Sequence, residues 1–136
     1  KQTADISPSG EQVVDEMIAQ QVLEVLDRVT ESGGTATLAQ VRGFSVGGKT
    51  GTVHKVGQGG YLDDQYVALF VGIAPMDSPR YVTAVLIDQP RGEHYGGGLA
   101  AAPVYSRITE EVLRIRNVQP EKTDMSALLT VSGGAQ

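Results

Sequence analysis

Two runs of residues constrain the fold of this chain more than any other feature. They are Tyr66-Val67-Ala68-Leu69-Phe70-Val71-Gly72-Ile73-Ala74 and Tyr81-Val82-Thr83-Ala84-Val85-Leu86-Ile87-Asp88. Both are almost continuously apolar and rich in β-branched side chains, the pattern of strands covered on both faces. Pro75-Met76-Asp77-Ser78-Pro79-Arg80 separates them as a turn cluster. A third strand is expected over Thr50–Val56, β-branched with glycine at both ends, joined to the next by a flexible Gly57-Gln58-Gly59-Gly60 connection. Connections this short, with no helix between, require neighbouring strands to run antiparallel. An antiparallel sheet of about three strands follows.

Helices flank that sheet in the sequence. Ser9-Gly10-Glu11-Gln12 spells a capping box, with Ser at the N-cap and Gln at the third helical position. Val14, Met17, Ile18, Val22, Val25, Leu26 and Val29 then recur at steps of three and four. This predicts a helix over about 11–31, with its apolar stripe on the core and Ser32-Gly33-Gly34 ending it. Thr35–Arg42 reads as loop and short strand, and Gln89–Gly98 as loop. Pro103 suits a first helical turn, and Val104, Ile108, Val112 and Ile115 repeat at helical spacing until Asn117, ahead of Pro120. The expected class is α+β, with an N-terminal and a C-terminal helix packed on the sheet. A domain portion is expected over 1–120 and a flexible C-terminal tail over 121–136.

Composition narrows the function. A net charge of −5 with the basic residues scattered gives nothing to track a phosphate backbone, so no nucleic-acid partner is expected. The chain has no cysteine, which excludes disulfides, thiolate nucleophiles and cysteine metal sites. With two histidines, no metal site can be built from them. No apolar run reaches membrane-spanning length, and the first residue, Lys1 and not Met, suggests a processed product.

The chemistry concentrates in Gly47-Gly48-Lys49-Thr50-Gly51-Thr52-Val53, which has two readings. From Gly43 to Thr50 it satisfies a phosphate-binding P-loop, and Ala84-Val85-Leu86-Ile87-Asp88 supplies an apolar run ending in a magnesium-binding acid. That alternative needs a helix starting at Lys49-Thr50 to aim N–H groups at phosphates, yet glycines and β-branched residues follow. The strand reading uses each residue. Thr50 and Thr52 share one face and present two hydroxyls to one carboxylate. Gly51 lets a peptide-like ligand approach the backbone, and Lys49 supplies a positive charge. An edge strand can also pair with an extended peptide. A bland glycine-rich turn entering an ordinary strand is the remaining reading.

The same stretch resembles the third motif of the penicillin-recognising acyl-serine transferases. Gly33-Gly34-Thr35-Ala36, Gly72-Ile73-Ala74-Pro75 with Pro79-Arg80, and Tyr95-Gly96-Gly97-Gly98 leading to Ala102-Pro103-Val104-Tyr105 accompany it in order. Over about residues 9–120 the chain resembles the C-terminal part of class B penicillin-binding proteins of the septal, cell-division type (penicillin-binding protein 3 type). The resemblance implies part of the fold shared by penicillin-binding enzymes and serine β-lactamases. It implies a serine-type D-Ala-D-Ala transpeptidase that crosslinks peptidoglycan stem peptides through an acyl-serine and is inhibited by β-lactams. It implies no cofactor and no metal. Location would be the periplasmic face of the bacterial inner membrane, anchored by an N-terminal span, with division-machinery membrane proteins and the N-terminal remainder of the same protein as partners.

Residue by residue, the resemblance makes Lys49 the motif lysine beside a Ser-x-Asn serine, and Thr50, Gly51 and Thr52 substrate-binding. The backbone N–H of Thr52 becomes one oxyanion donor. None of the eight serines is followed by Lys three positions on or by Asn two positions on, so the nucleophile must lie on other polypeptide and this chain alone should not acylate. Septal members usually carry two adjacent aromatics before the glycine pair, whereas here Tyr95 is followed by Gly96. Tyr95 is thus a ligand contact or a packing residue. His94 reads as an exposed loop histidine. His54 falls on the Thr50/Thr52 face as a solvent-facing neighbour of the site.

Overall fold

The computed structural model describes residues 10–92 and 94–120. In order these form helix α1 (Glu16–Asp27), a 3-10 turn (Thr37–Ala39), strands β1 (Gly47–Gly57), β2 (Gly60–Ala74) and β3 (Tyr81–Asp88), a short helix α2 (Gly97–Ala100) and helix α3 (Ala102–Ile115). The sheet is three-stranded and antiparallel in the order β1-β2-β3, which places β1 at an edge. The α+β class and the antiparallel sheet agree with the sequence reading. The tail expected over 121–136 and the Ser9 cap lie outside the described residues.

Several boundaries differ, each for a physical reason. Helix α1 begins at Glu16, five residues later than the sequence suggests, because Asp15 is the N-cap and its carboxylate accepts the Met17 N–H at 2.8 Å. Its end comes earlier too. After Asp27 the chain makes successive tight turns, with Val29, Thr30 and Glu31 N–H groups each reaching back three residues. Strands β1 and β2 both extend into the region read as a flexible connection. Gly57 pairs with Gly60, leaving only Gln58-Gly59 as the turn. The register is irregular between His54 and Val56, where Asp64 adopts φ 55° on the opposite strand. Acidic residues within β2 hid this extension from an apolar pattern. Thr35–Arg42 holds no strand, only the 3-10 turn and an isolated bridge between Val41 and Phe44.

Strand alternation and the pairing register sort side chains onto two faces. One carries Thr50, Thr52 and His54 of β1 with Tyr66, Ala68, Phe70, Gly72 and Ala74 of β2 and Val85 and Ile87 of β3. This face is the core: Ala68, Phe70, Ala74 and Val85 are buried with Ala101, Ala102, Tyr105 and Leu113 of the C-terminal segment. Phe70 meets the Tyr105 ring edge-on, centroids 4.9 Å apart. Gly72 is required here, since a Cβ would overlap the Tyr105 ring.

The opposite face carries Lys49, Gly51 and Val53, with Leu69, Val71 and Ile73, and Val82, Ala84 and Leu86. It is not covered among the described residues: Val82 and Leu86 remain 71% and 63% exposed. The expectation of strands covered twice is therefore corrected to one covered face. The apolar stripe of α1 likewise stands free. None of its residues is buried, and Met17 and Val25 are 66% and 65% exposed. Only the end of α1 reaches the sheet, where Asp27 N lies 3.0 Å from the point at which a Gly47 side chain would begin.

Burial pushes the Tyr105 hydroxyl up to about 12. Thr109 lies near enough to offset a little of that rise, but the two groups miss hydrogen-bond geometry, and both buried oxygens lack a partner among the described residues. A phenol whose folded pKa is raised contributes stability below the unfolded pKa and loses it as pH climbs through the folded value. Denaturant unfolding followed across pH should show stability falling between about 10 and 12. Tyr105→Phe should flatten that fall and leave neutral-pH stability within about 1 kcal/mol. An unchanged alkaline limb in the variant would contradict the assignment.

Candidate active-site strand

The site is assembled on β1, and its entry is fixed from the turn after α1. Thr30 donates its buried hydroxyl to the Val46 carbonyl, and Gln40 Nε2 donates to the Thr30 carbonyl at 2.7 Å. These bonds tie the turn after α1 to the residue that precedes the strand. Lys49 is exposed on the uncovered face, and its Nζ donates to the Thr50 carbonyl at 3.0 Å. Thr50 and Thr52 alternate onto the other face, so the lysine and the two hydroxyls meet only around the free edge of the strand.

The glycine run lies across that second face. Gly97 N–H donates to Thr52 Oγ1 at 3.2 Å. A side chain on Gly97 would overlap the carbonyl oxygens of Gly51 and Leu69, while one on Gly98 would overlap the Thr35 carbonyl. This backbone-on-backbone approach accounts for Gly97-Gly98 in a sequence that otherwise could have carried any small residue. Gly96 is different: a Cβ there would meet only Thr52 Oγ1, at 3.8 Å. Position 96 therefore has room for a side chain.

Beyond Thr52 the face continues as an aromatic stack. His54 stacks on Tyr66 at 4.2 Å, and Tyr66 stacks on Tyr95 at 4.2 Å, with Tyr61 tilted against His54 at 5.5 Å. Desolvation and the adjacent Tyr95 hold the Tyr66 hydroxyl above its ordinary pKa. Tyr95 thus packs on Tyr66 while keeping 43% of its surface exposed. His54 is exposed on the threonine face, as its alternation implies, and His94 is exposed in the loop.

Among the residues singled out from sequence, Lys49, Thr50, Gly51 and Thr52 are contiguous on the edge strand, and Tyr95 reaches the same face through Tyr66. Three contacts were not legible. Thr35 places its hydroxyl 3.3 Å from Thr50 Oγ1, the Gly97 N–H meets Thr52, and Tyr66 joins Tyr95 to His54. Gly33-Gly34-Thr35 was visible as a motif, but its partner depends on where the loop returns. Tyr66 could have been found once the β1–β2 register was known, since it lies opposite His54.

The nucleotide-binding alternative is overturned. Lys49 and Thr50 lie inside an eleven-residue strand, with no helix to point at a phosphate. Asp88, the acid that would have held magnesium, instead accepts both of its contacts from Lys55 Nζ, at 2.9 and 3.1 Å.

Comparison with known proteins agrees with this geometry. Residues 2–110 match the family model described as the penicillin binding protein transpeptidase domain. The chain is 41% identical over 117 residues to a probable peptidoglycan D,D-transpeptidase PenA of Neisseria flavescens, covering 86% of this chain and 29% of that protein. It is 37% identical over 112 residues to the peptidoglycan D,D-transpeptidase FtsI of Escherichia coli K12, covering 82% of this chain and 19% of that protein. The apo transpeptidase domain of Burkholderia pseudomallei penicillin-binding protein 3 superposes with a TM-score of 0.78 at 41% identity, over 90% of this chain and 37% of the other. The chain therefore spans less than a third of the curated relatives it matches.

Gly97→Ala should destabilise the protein by roughly 2–4 kcal/mol, because rigid backbone must move to admit the methyl group. Gly96→Ala, one residue away and unobstructed, should change stability by less than about 0.5 kcal/mol. Urea melts of the two variants decide it, and equal losses would contradict the packing described.

Proposed function

The chain belongs to the penicillin-binding protein transpeptidase family, and on that premise we propose that it supplies the carboxylate-gripping strand of a septal peptidoglycan D,D-transpeptidase. The observation that carries the reading is the pair of adjacent hydroxyls, Thr50 and Thr52, on an exposed sheet edge with the Lys49 ammonium at its mouth. Two donors and a cation at an edge strand fit the C-terminal carboxylate of an extended peptide.

In the reaction, a serine hydroxyl attacks the carbonyl between the two D-alanines of a stem peptide. An ester to the enzyme forms, and the terminal D-alanine leaves as an amine, taking up the proton the serine gives up. The amine of a neighbouring stem then attacks the ester, forming the crosslinking amide and returning the serine. Thr50 and Thr52 hold the departing carboxylate, and the Thr52 N–H is one donor to the oxyanion with the nucleophile's own N–H the other. Lys49 holds positive charge beside the serine that relays protons. β-Lactams present the same carboxylate and acyl carbonyl, and their acylation product persists.

The nucleophile and its partner motifs belong to polypeptide outside this chain, which is the C-terminal portion, residues 1–120, of a transpeptidase domain. Two bare apolar surfaces support this. The Lys49 face of the sheet and the α1 stripe are the kind of area a larger domain buries. The family resemblance supports activity at the periplasmic face of the inner membrane, in the company of division-machinery membrane proteins. Among the described residues no helix is long and apolar enough to span a membrane, so an anchor would come from elsewhere in the protein. The exposed part of Tyr95 supports reading it as a contact for the acyl side chain of a ligand.

Fluorescent penicillin tests the proposal. The isolated chain should take no covalent label, and co-expression with the N-terminal remainder of its protein should restore labelling on that partner. Lys49→Ala in the reconstituted pair should cut the acylation rate by about 100-fold or more. Labelling of the isolated chain, or full labelling of the lysine variant, would overturn it.

A further inference from the structure

We propose that Thr35, which lies outside the strand, is a positioning residue: it donates to Thr50 Oγ1 and thereby turns the Thr50 hydroxyl hydrogen outward, toward the carboxylate of an acyl ligand. The inference rests on the carboxylate-gripping reading above.

A threonine hydroxyl has one hydrogen to give and two lone pairs that accept. If it spends that hydrogen on a protein acceptor, it shows an anion only lone pairs. If it accepts from the protein instead, its hydrogen stays available. Thr52 is of the second kind without ambiguity, because its partner is the Gly97 backbone N–H at 3.2 Å, which can only donate. Thr50 faces another hydroxyl, Thr35 Oγ1 at 3.3 Å, and either oxygen can be the donor. A carboxylate on the Thr50/Thr52 face removes that choice. The charge-assisted bond from Thr50 to the anion is the stronger of the two. Thr50 then donates outward and Thr35 must be the donor within the pair.

Thr35 is held firmly enough to do this. Gly34 N–H donates to the Glu31 carbonyl at 2.9 Å and Ala36 N–H to the Val29 carbonyl at 3.0 Å, which pins the backbone on both sides. Gly98 lies against the Thr35 carbonyl, so the same glycine run that orients Thr52 also abuts the Thr35 backbone. Alternate residues on a strand stand about 7 Å apart, a span across which two outward hydroxyls can close on one carboxylate. Each hydroxyl of the strand is thus oriented from behind by a donor contributed by a different loop.

The test compares a penicillin bearing its free carboxylate with the neutral methyl ester of the same penicillin, as acylating agents of the protein carrying the whole transpeptidase domain. Wild-type protein should react faster with the acid. Thr35→Val, which keeps the shape and removes the hydroxyl, should lower the second-order rate for the acid by roughly ten-fold while leaving the ester within about two-fold. Thr35→Ser should restore the acid rate. Thr35→Ala gives the same comparison should the valine variant fail to fold. Equal loss for acid and ester would make Thr35 merely structural and overturn the proposal, as would no loss for either. A wild-type protein indifferent to the carboxylate would overturn the carboxylate reading itself, whereas a clear wild-type preference that survives Thr35→Val would sink the role of Thr35 alone.

Discussion

The arrangement depends on one contact between backbones. Gly97 lies directly on the Gly51 and Leu69 carbonyls, and from that position its N–H reaches the Thr52 hydroxyl. Any side chain there would lift the glycine run off the strand. The hydroxyl would lose its donor, and Gly98 would lose its place against Thr35. The contact also explains why Tyr95 precedes the glycines. Stacked on Tyr66, whose ring in turn stacks on His54, it anchors the loop to β2 just before the chain descends onto β1. Sequence, loop path and hydroxyl orientation are consequences of one close approach.

The two faces of the sheet differ in what covers them. On the threonine face, Ala68, Phe70 and Val85 pack against Tyr105 and Leu113 and make the core. The lysine face is bare, with Val71, Val82 and Leu86 exposed. A single strand alternating between them puts Lys49 toward the bare side and Thr50 and Thr52 toward the covered side. Groups of opposite orientation can still act on one ligand because the strand is at the sheet edge, where both faces open onto the same space. Burial of the bare side by further polypeptide would bring other chemistry to the lysine while leaving the hydroxyls supported by the core already in place.

Much of this was legible in the residues. The apolar runs over 66–74 and 81–88 fixed two strands and their antiparallel sense, and the spacing of Val104, Ile108 and Val112 marked α3. The glycines and β-branched residues after Lys49 argue against the phosphate-binding alternative, and the strand over Gly47–Gly57 overturns it. What stayed hidden depended on tertiary placement. A capping box at Ser9 and an apolar stripe suggested a longer helix, but Asp15 caps α1 and no element covers the stripe among the described residues. Asp63 and Asp64 disguised the first part of β2. Thr35 stands in a recognisable motif and Tyr66 opens an apolar run, but neither shows its partner, since each contact forms only where a distant segment returns to meet it.

In the proposed reading Thr50 and Thr52 grip a carboxylate, with Lys49 at the edge of the same strand. A crystal structure of the whole transpeptidase domain acylated by a β-lactam measures this directly. The ligand carboxylate should lie within about 3 Å of both threonine hydroxyl oxygens, with the Thr35 and Gly97 donors still behind them. A carboxylate bound away from both threonines, with the strand otherwise unchanged, would contradict it.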